Sequence, residues 1–327
     1  MPSPSPGRRF RQLLQEEPYV FTGGIYSPLD AQLAERAGLK AIYLSGYSLA
    51  MLNGWPDMGF LTMTEVARAA SMVASATSLP IIADADDGYG TALNTMRTVA
   101  EFVRSGVAGL HLEDQQYPKR CGHIAGKTLV SRDEAVGKFR AALAERDRLD
   151  PDFVVIARTD AHGAVGGSLE EAIWRGRAYA DLGVDLVWCE LSSAARRPAE
   201  QFAEAMRKSH PDLPLAFNYS SSFKWHADPE PLTFHELGQL GYRFIFITLY
   251  GAHAAMYAVW NAMTDLVTLE ERAQWTLEKT KVGHPTESHH VVARVAHFQE
   301  LERRFVPGAA ARLGASAGFG DPQAAHR

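Results

Sequence analysis

The stretch that decides the fold is Asn94–Asp114, NTMRTVAEFVRSGVAGLHLED. Its first part, Asn94–Ser105, is amphipathic at helical spacing, and Gly106 follows it as a helix-ending glycine. Its last part, Gly109–Asp114, is a short apolar run that ends in two carboxylates. Such a run is typical of a strand that is buried on both faces of a parallel sheet. The stretch therefore predicts one helix–turn–strand unit.

This unit recurs along the chain. The glycine turn reappears at Leu182-Gly183-Val184 and at Leu240-Gly241-Tyr242. Eight strand–helix units in about 250 residues favour a (β/α)₈ barrel over a doubly wound sheet. No Gly-x-Gly-x-x-Gly follows the first predicted strand, which weakens a dinucleotide-binding fold. The predicted strands are Tyr19–Gly23, Ala41–Ser45, Ile81–Asp86, Gly109–Asp114, Val154–Asp160, Leu186–Glu190, Leu215–Ser220 and Phe244–Leu249.

Composition narrows the class of protein. The 327 residues are 46% hydrophobic and carry a formal charge of −5, which argues against a nucleic-acid partner. No apolar run has membrane-spanning length, and the first residues lack the apolar core of a signal peptide. With two cysteines, we expect a cytoplasmic protein without a membrane partner. We expect an arm over 1–17, a barrel over 18–265, a helical segment over 266–306 and a mobile tail over 307–327.

Carboxylates collect at the ends of the predicted strands. Asp84 and Asp86 alternate on the third strand, Glu113 ends the fourth, and Asp57 lies in the turn after the second. Unpaired carboxylates would repel one another, and a divalent cation would relieve that repulsion. An all-oxygen set suits Mg²⁺ or Mn²⁺, with Asp84 as the direct ligand and the others acting largely through water. The alternative is that these carboxylates form salt bridges with Arg158 or Lys119.

The segment Lys119-Arg120-Cys121-Gly122-His123 follows the fourth strand and places a thiol among cations. Neighbouring positive charge favours the thiolate, the form that can accept a proton. The other cysteine, Cys189, should point away from the mouth by strand alternation. The segment therefore predicts an active-site loop, for which Gly122 and Gly126 supply hinge freedom.

These motifs together resemble the isocitrate lyase and phosphoenolpyruvate mutase superfamily, in order along nearly all of the barrel. Asn218–Phe223 and Phe246–Leu249 are similar to isocitrate lyase itself, in the compact form known from haloarchaea. The motifs that carry the resemblance are Leu44–Tyr47, Ala83–Asp86, His111–Gln115, Lys119–His123 and Ile156–Asp160.

The resemblance implies roles for single residues. Cys121 would protonate the succinate carbanion, Asp84 would carry Mg²⁺, and His123 and Glu190 would complete the polar wall, with Cys121, His123, Arg158 and Glu190 as the catalytic group. Two departures from the family pattern are Asp87, which either adds a charge near the metal or caps the next helix, and Tyr47, which replaces Trp. The substrate's carboxylates and carbonyl would be held by Ser45, Gly46, Tyr47, Gly122, His123, Arg158, Asn218, Ser220, Ser222 and Thr248.

The implied activity is Mg²⁺-dependent cleavage of isocitrate to glyoxylate and succinate, as in the glyoxylate cycle. The alternatives are a 2-methylisocitrate lyase, a related 2-hydroxy-acid lyase or an oxaloacetate hydrolase. A Cys121-dependent hydrolase and a non-catalytic metabolite-binding barrel are rival hypotheses of other classes. The resemblance also implies a homo-oligomer, with a tetramer expected, in which the last barrel helix is exchanged and 266–306 contacts a neighbouring subunit.

Overall fold

A closed parallel barrel forms the first part of the chain. The structure is a computed structural model that describes residues 4–192, 196–315 and 318. Within these residues, eight strands pair in sequence order, and β1 closes the ring against β8 with Thr22 opposite Phe246. The predicted (β/α)₈ barrel is confirmed. The strands are β1 Val20–Ile25, β2 Ile42–Leu44, β3 Ile81–Asp84, β4 Gly109–Glu113, β5 Val154–Thr159, β6 Leu186–Cys189, β7 Leu215–Asn218 and β8 Tyr242–Ile247.

Helices alternate with these strands and continue beyond them. The predicted glycine ends are confirmed where Gly106 and Gly241 adopt left-handed φ values of 83° and 104° at helix C-caps. The helices are α1 Pro6–Glu16, α2 Pro28–Arg36, α3 Gly46–Leu52, α4 Met63–Ala74, α5 Ala92–Ser105, α6 Arg132–Leu149, α7 Leu169–Asp181, α8 Arg196–Ser209, α9 Phe234–Leu240, α10 Tyr250–Leu269, α11 Glu271–Lys281, α12 His289–Val292, α13 Val295–Phe305 and α14 Ala309–Ala315.

Strand alternation divides the core into two layers. Tyr43, Trp188 and Phe246 point into the barrel, where Phe246 stacks on Tyr43 at 4.2 Å and meets Trp188 edge-on at 4.9 Å. Cys189, one residue after Trp188, packs in the outer layer between strands and helices, as predicted. These aromatic side chains fill the barrel below the carboxyl ends of the strands. They form the floor of the mouth, directly beneath the polar residues.

Helix α1 forms within the expected N-terminal arm. Phe10 is fully buried and meets Phe244 of β8 edge-on at 5.1 Å. The guanidinium of Arg243 donates to the carbonyl of Leu14 at 2.9 Å. Because these contacts lie at the amino ends of the strands, α1 belongs to the barrel unit and covers the end opposite the polar residues.

The chain divides into two units, one up to residue 255 and one from residue 256. The division falls within α10, before the expected boundary at 265. In the second unit, α14 occupies part of the expected tail over 307–327, and 316–317 and 319–327 lie outside the described residues. None of the described helices is both long enough and apolar enough to span a membrane.

Candidate active site

Polar residues cluster at the carboxyl ends of the strands, which is where barrel enzymes build their active sites. Each is presented by the end of a strand or by the loop directly after it, above the aromatic floor. Most of these side chains are buried, although polar residues usually remain exposed. The residues in question are Ser45, Asp84, Glu113, Arg158, Asp160, Glu190, Asn218, Ser220 and Thr248.

Asp84 is the most firmly held carboxylate of the cluster. Its Oδ1 accepts from the backbone N–H of Asp86 at 3.0 Å, and its Oδ2 accepts from that of Gly46 at 3.1 Å. A Cβ on residue 46 would lie 2.6 Å from Oδ2, so this close approach needs glycine. His111 Nε2 lies 3.3 Å from Oδ1 and 2.9 Å from the hydroxyl of Tyr43. Two backbone donors and an imidazole therefore fix the carboxylate.

Charge around Asp84 keeps it ionised. Burial alone would raise its pKa, but His111, Lys119 and Arg158 outweigh burial and hold the pKa well below its ordinary value. An ionised carboxylate in a fixed orientation is the donor that a divalent cation requires.

Asp86 and Asp57 share Lys119. The Nζ of Lys119 lies 2.6 Å from Asp57 Oδ1 and also contacts Asp86 Oδ1. Because strand β3 ends at Asp84, Asp86 lies in a turn with φ 49°, and strand alternation does not set its direction. Burial, more than offsetting Lys119, raises the pKa of Asp86 to about 7.

Glu113 lies beside Arg158 and has free acceptor capacity. Its Oε2 is 3.1 Å from Arg158 Nη1, a contact without hydrogen-bond alignment, and neither Oε atom accepts a hydrogen bond. Burial raises the pKa of Glu113 well above its ordinary value although Arg158 and Lys119 lower it. The premise that the carboxylates lack partners is therefore wrong, because Lys119 and Arg158 provide them.

The donor set still fits a hard cation. Among the described residues, no group of three or more His, Cys, Asp and Glu side chains is gathered closely enough to ligate one ion. Mg²⁺ needs fewer, since it keeps several waters and takes one or two carboxylates. Ionised Asp84 meets that requirement as a direct ligand, and the unsatisfied oxygens of Glu113 can accept a hydrogen bond from a water of the ion. These residues therefore fit the expected metal.

Arg158 is held by a bidentate pair within the chain. Its Nε and Nη2 donate to the two oxygens of Asp160 at 2.8 and 3.0 Å, and its guanidinium lies 4.4 Å over the ring of Trp188. Nη2 is also 4.0 Å from Glu190. The edge expected to clamp a substrate carboxylate is thus partly taken by Asp160. A substrate carboxylate would have to bind at Nη1, where it would compete with the 3.1 Å contact to Glu113.

The cysteine loop folds onto the strand ends. The backbone N–H of Cys121 donates to the carbonyl of Asp57 at 3.0 Å, and Gln115 exchanges hydrogen bonds of 2.7 and 3.0 Å with the backbone of Arg120. A Cβ on Gly122 would overlap Glu190 and Arg158. Gly122 therefore serves a close backbone approach, and Gly126, with φ 86°, is the loop glycine in the left-handed region.

The expected activation of the Cys121 thiol is wrong. Burial raises its pKa to about 12, assisted by the negative charges of Asp57 and Glu190. The expected cations act elsewhere, because Lys119 is paired and Arg120 donates to the carbonyl of Ala125 at 2.9 Å. Burial therefore favours the protonated form of the Cys121 thiol.

A chain of polar side chains joins the cysteine loop to three strands. His123 Nε2 lies 2.8 Å from Glu190 Oε1, Asn218 Nδ2 donates to the same carboxylate at 3.2 Å, and Thr248 Oγ1 donates to Asn218 Oδ1 at 2.7 Å. Burial raises the pKa of Glu190, but Arg158 and His123 lower it more and leave it below its ordinary value. The structure thus brings together the predicted residues of the polar wall.

The predicted serines have local partners, and Tyr47 lies near the loop. Ser45 Oγ accepts from the backbone N–H of Ser48 at 3.1 Å as the N-cap of α3, and Ser220 Oγ accepts from that of Ser222 at 3.2 Å. Ser222 is exposed, in a short 3₁₀ turn. Burial, and then the charges of Cys121 and Asp57, raise the pKa of Tyr47.

Asp87 has a structural partner on helix α6. Its Oδ1 accepts from the backbone N–H of Tyr89 at 3.0 Å, and its Oδ2 lies 3.6 Å from Nζ of buried Lys138 on α6. The N-cap of α5 is Thr91 and not Asp87. The added charge is thus paired with a helix lysine.

Sequence reasoning missed four buried residues that support the site. Asp114 Oδ1 accepts from the backbone N–H of Asp160, and its Oδ2 accepts from Tyr179 at 2.7 Å. Lys127 Nζ donates to Asp160 at 2.8 Å. Tyr43 and His111 support Asp84 from below. Asp114, Asp160 and His111 lie inside the quoted motifs, whereas no sequence signal distinguished Lys127 or Tyr43.

Comparison with known proteins identifies the family of this chain. The model of the phosphoenolpyruvate phosphomutase family matches residues 10–267. The chain is 48% identical to an isocitrate lyase of Haloferax volcanii, over 97% of this chain and 92% of that protein. It is 38% identical to a 2,3-dimethylmalate lyase of Eubacterium barkeri, over 80% and 84% of the two chains.

Solved structures of similar proteins have the same fold. A phosphoenolpyruvate phosphomutase from Streptomyces platensis subsp. rosaceus superposes with a TM-score of 0.80 at 33% identity, over 92% of this chain and 99% of that one. A phosphonopyruvate hydrolase in complex with oxalate and Mg²⁺ superposes with a TM-score of 0.78 at 26% identity, over 93% and 100%.

Proposed function

Because the chain belongs to the phosphoenolpyruvate mutase and isocitrate lyase superfamily, we propose that it is a lyase that cleaves isocitrate to glyoxylate and succinate in a Mg²⁺-dependent retro-aldol reaction. The observation that carries the proposal is the position of the Cys121 loop, in which Gly122 packs against Arg158 and Glu190 and His123 lies 2.8 Å from Glu190, beside Asn218 and Thr248. The similarity to an isocitrate lyase over nearly the whole chain supports it.

Asp84 would hold the metal directly, with Glu113, Asp86 and Asp57 contributing largely through water. When bound, Mg²⁺ would acidify the 2-hydroxyl group and neutralise the developing aldehyde oxygen. The Mg²⁺ complex of the related phosphonopyruvate hydrolase supports this assignment.

Side chains of the protein would bind the substrate and deliver the proton. Arg158, His123, Asn218 and Thr248 would bind the carboxylates of the succinate half, whose negative charge grows as the carbon–carbon bond breaks. Cys121 would deliver one proton from Sγ to the carbanion carbon, for which its protonated resting state is the required one. Ser45, Gly46 and Tyr47 would bind the glyoxylate half, and Ser220 and Ser222 the rim of the succinate half.

A Cys121-dependent hydrolase fits less well. A nucleophile has to be deprotonated, and the pKa of this thiol is raised to about 12 by burial. A lyase for a related 2-hydroxy acid is the second candidate, favoured by the similarity to 2,3-dimethylmalate lyase. Since one methyl group discriminates by only about 1–3 kcal/mol, side activity on methylated substrates is expected.

One assay tests the proposal. Purified protein with Mg²⁺ is given threo-isocitrate, 2-methylisocitrate, 2,3-dimethylmalate and oxaloacetate, and glyoxylate, pyruvate and oxalate are measured. We expect glyoxylate from isocitrate as the fastest reaction, abolished by EDTA and restored by Mg²⁺. Absence of glyoxylate, or its formation in EDTA, would overturn the proposal.

We also propose that the protein is a cytoplasmic homotetramer of the glyoxylate cycle. Apolar side chains on α10 support an association surface, since Tyr257 and Trp260 are both 74% exposed. The segment 266–306 would contact the neighbouring subunit, and the last barrel helix would be exchanged between subunits.

A further inference from the structure

Lys127 is a buried lysine with two partners on different elements. It is 2% exposed, and its Nζ donates to the carbonyl of Gly122 at 2.6 Å and to Asp160 Oδ1 at 2.8 Å. Gly122 belongs to the cysteine loop, and Asp160 follows β5. One ammonium group thus joins the loop to the barrel wall.

The Asp160 side of this contact is rigid. Asp160 also accepts two hydrogen bonds from Arg158, and its backbone N–H donates to buried Asp114 at 3.0 Å. Burial lowers the pKa of Lys127, but Asp160 and Glu190 raise it more, so the ammonium stays charged. The backbone N–H of Val165 in the loop after β5 donates to the carbonyl of Lys127 at 2.9 Å. The ammonium is thus anchored on the barrel.

The Gly122 side lies in a loop and not in a strand. The backbone N–H of Cys121 donates to Asp57, and its carbonyl accepts from Ile124 within the same loop. No strand contains Cys121, Gly122 or His123, all of which lie in the described part of the chain. Gly122 fits against Glu190 and Arg158 only because it lacks a Cβ. Its carbonyl meets the ammonium in a buried, charge-assisted hydrogen bond, which is stronger than a neutral one.

We propose that Lys127 is a positioning residue that latches the cysteine loop closed through the carbonyl of Gly122 and so keeps the Cys121 thiol in the mouth of the barrel. The importance of the latch for catalysis rests on the proposed function, in which Cys121 is the proton donor. It acts on loop position, so its signature is the accessibility of the thiol.

The experiment measures alkylation of Cys121 by iodoacetamide at fixed pH in a Cys189→Ala background, which leaves one thiol. Lys127→Met is compared with the parent, with Lys127→Arg and with Lys138→Met. Lys138 is a matched control, because it is a buried lysine on α6 whose paired aspartate, Asp87, lies outside the cysteine loop. Alkylation is repeated at several low urea concentrations, because a local opening responds weakly to denaturant.

We expect Lys127→Met to raise the alkylation rate about 10-fold or more, nearly independently of urea, as loss of a charged hydrogen bond predicts. Lys127→Arg should restore much of the protection, and Lys138→Met should leave it unchanged. An unchanged rate in Lys127→Met, or a rise that follows global unfolding in urea, overturns the latch. Because turnover is not measured, failure of the latch is distinguishable from failure of the lyase assignment.

Discussion

At the residue scale, the protonation of Cys121 separates the chemistry of a proton donor from that of a nucleophile. The cationic residues next to Cys121 in the sequence predicted a thiolate. In the structure, Lys119 pairs with Asp57 and Asp86, and Arg120 donates to the carbonyl of Ala125. Adjacency along the chain does not give adjacency of charge in space. The partly buried thiol instead meets negative charge from Asp57 and Glu190, which no motif reveals.

Cys121→Ser tests the proton donor. We expect turnover to fall about 10²- to 10⁴-fold, since a poorly acidic hydroxyl replaces the general acid, while KM changes little. Steady-state kinetics with isocitrate measures both parameters. Cys189→Ala is the control and should retain turnover, because Cys189 packs in the outer layer. Full activity of Cys121→Ser would remove the thiol from the mechanism.

Asp84→Asn and Asp87→Asn form a matched pair for the metal. The first removes the ionised carboxylate and should weaken Mg²⁺ or Mn²⁺ binding at least about 10-fold. The second leaves Asp84 untouched and should mainly lower stability, because Lys138 loses its partner. Isothermal titration with each metal gives the affinities. Equal affinities in the two variants would contradict Asp84 as the direct ligand.

At the scale of elements, all eight strands were predictable because buried apolar runs alternate with amphipathic stretches, and the glycine turns marked helix ends. The ends of the strands were less predictable. Strand β3 stops at Asp84, so Asp86 takes a left-handed turn conformation that alternation could not foresee. Helix α1 was missed because its role depends on Phe10 meeting Phe244, more than 200 residues away in sequence.

Phe10→Ala tests whether α1 is an integral cover of the barrel. Because Phe10 is fully buried against Phe244, we expect a loss of about 3–5 kcal/mol in the free energy of unfolding. Leu93→Ala, at a position that is 77% exposed, should change stability by less than about 0.5 kcal/mol. Urea denaturation followed by circular dichroism gives both values. Similar losses in the two variants would argue against a packed cover.

At the scale of the whole molecule, the family and the barrel could be predicted from ordered motifs, whereas the charge pairing of the site could not. Pairings such as Lys127 with Asp160 join positions 33 residues apart through the fold. The two serines show the same limit of prediction from sequence. Ser45 and Ser220 lie at the mouth of the barrel, and each also accepts a hydrogen bond from a nearby backbone N–H group.

The proposed tetramer predicts a mass in solution of four times the 35.9 kDa of the chain. Light scattering after gel filtration measures it. Trp260→Glu should lower the mass, because a carboxylate then replaces an exposed apolar side chain on α10. Leu93→Ala, on α5, serves as the control and should keep it. A monomeric parent protein would contradict the assembly.

The charge balance of the mouth has a thermodynamic consequence. Among the described residues at the mouth of the barrel, buried carboxylates outnumber fixed cations, and they still do when Asp86 and Glu113, whose pKa burial raises, are left out. An anionic substrate therefore enters a field of its own sign. A divalent cation offsets that repulsion, and by linkage the substrate strengthens cation binding by the same factor. We expect saturating succinate to tighten Mg²⁺ binding about 5-fold or more in calorimetric titration. If succinate and Mg²⁺ bind independently, the negative field of the mouth does not govern the binding of the anionic substrate. The residues are Asp57, Asp84, Asp86, Glu113, Asp160 and Glu190 against Lys119, Lys127 and Arg158.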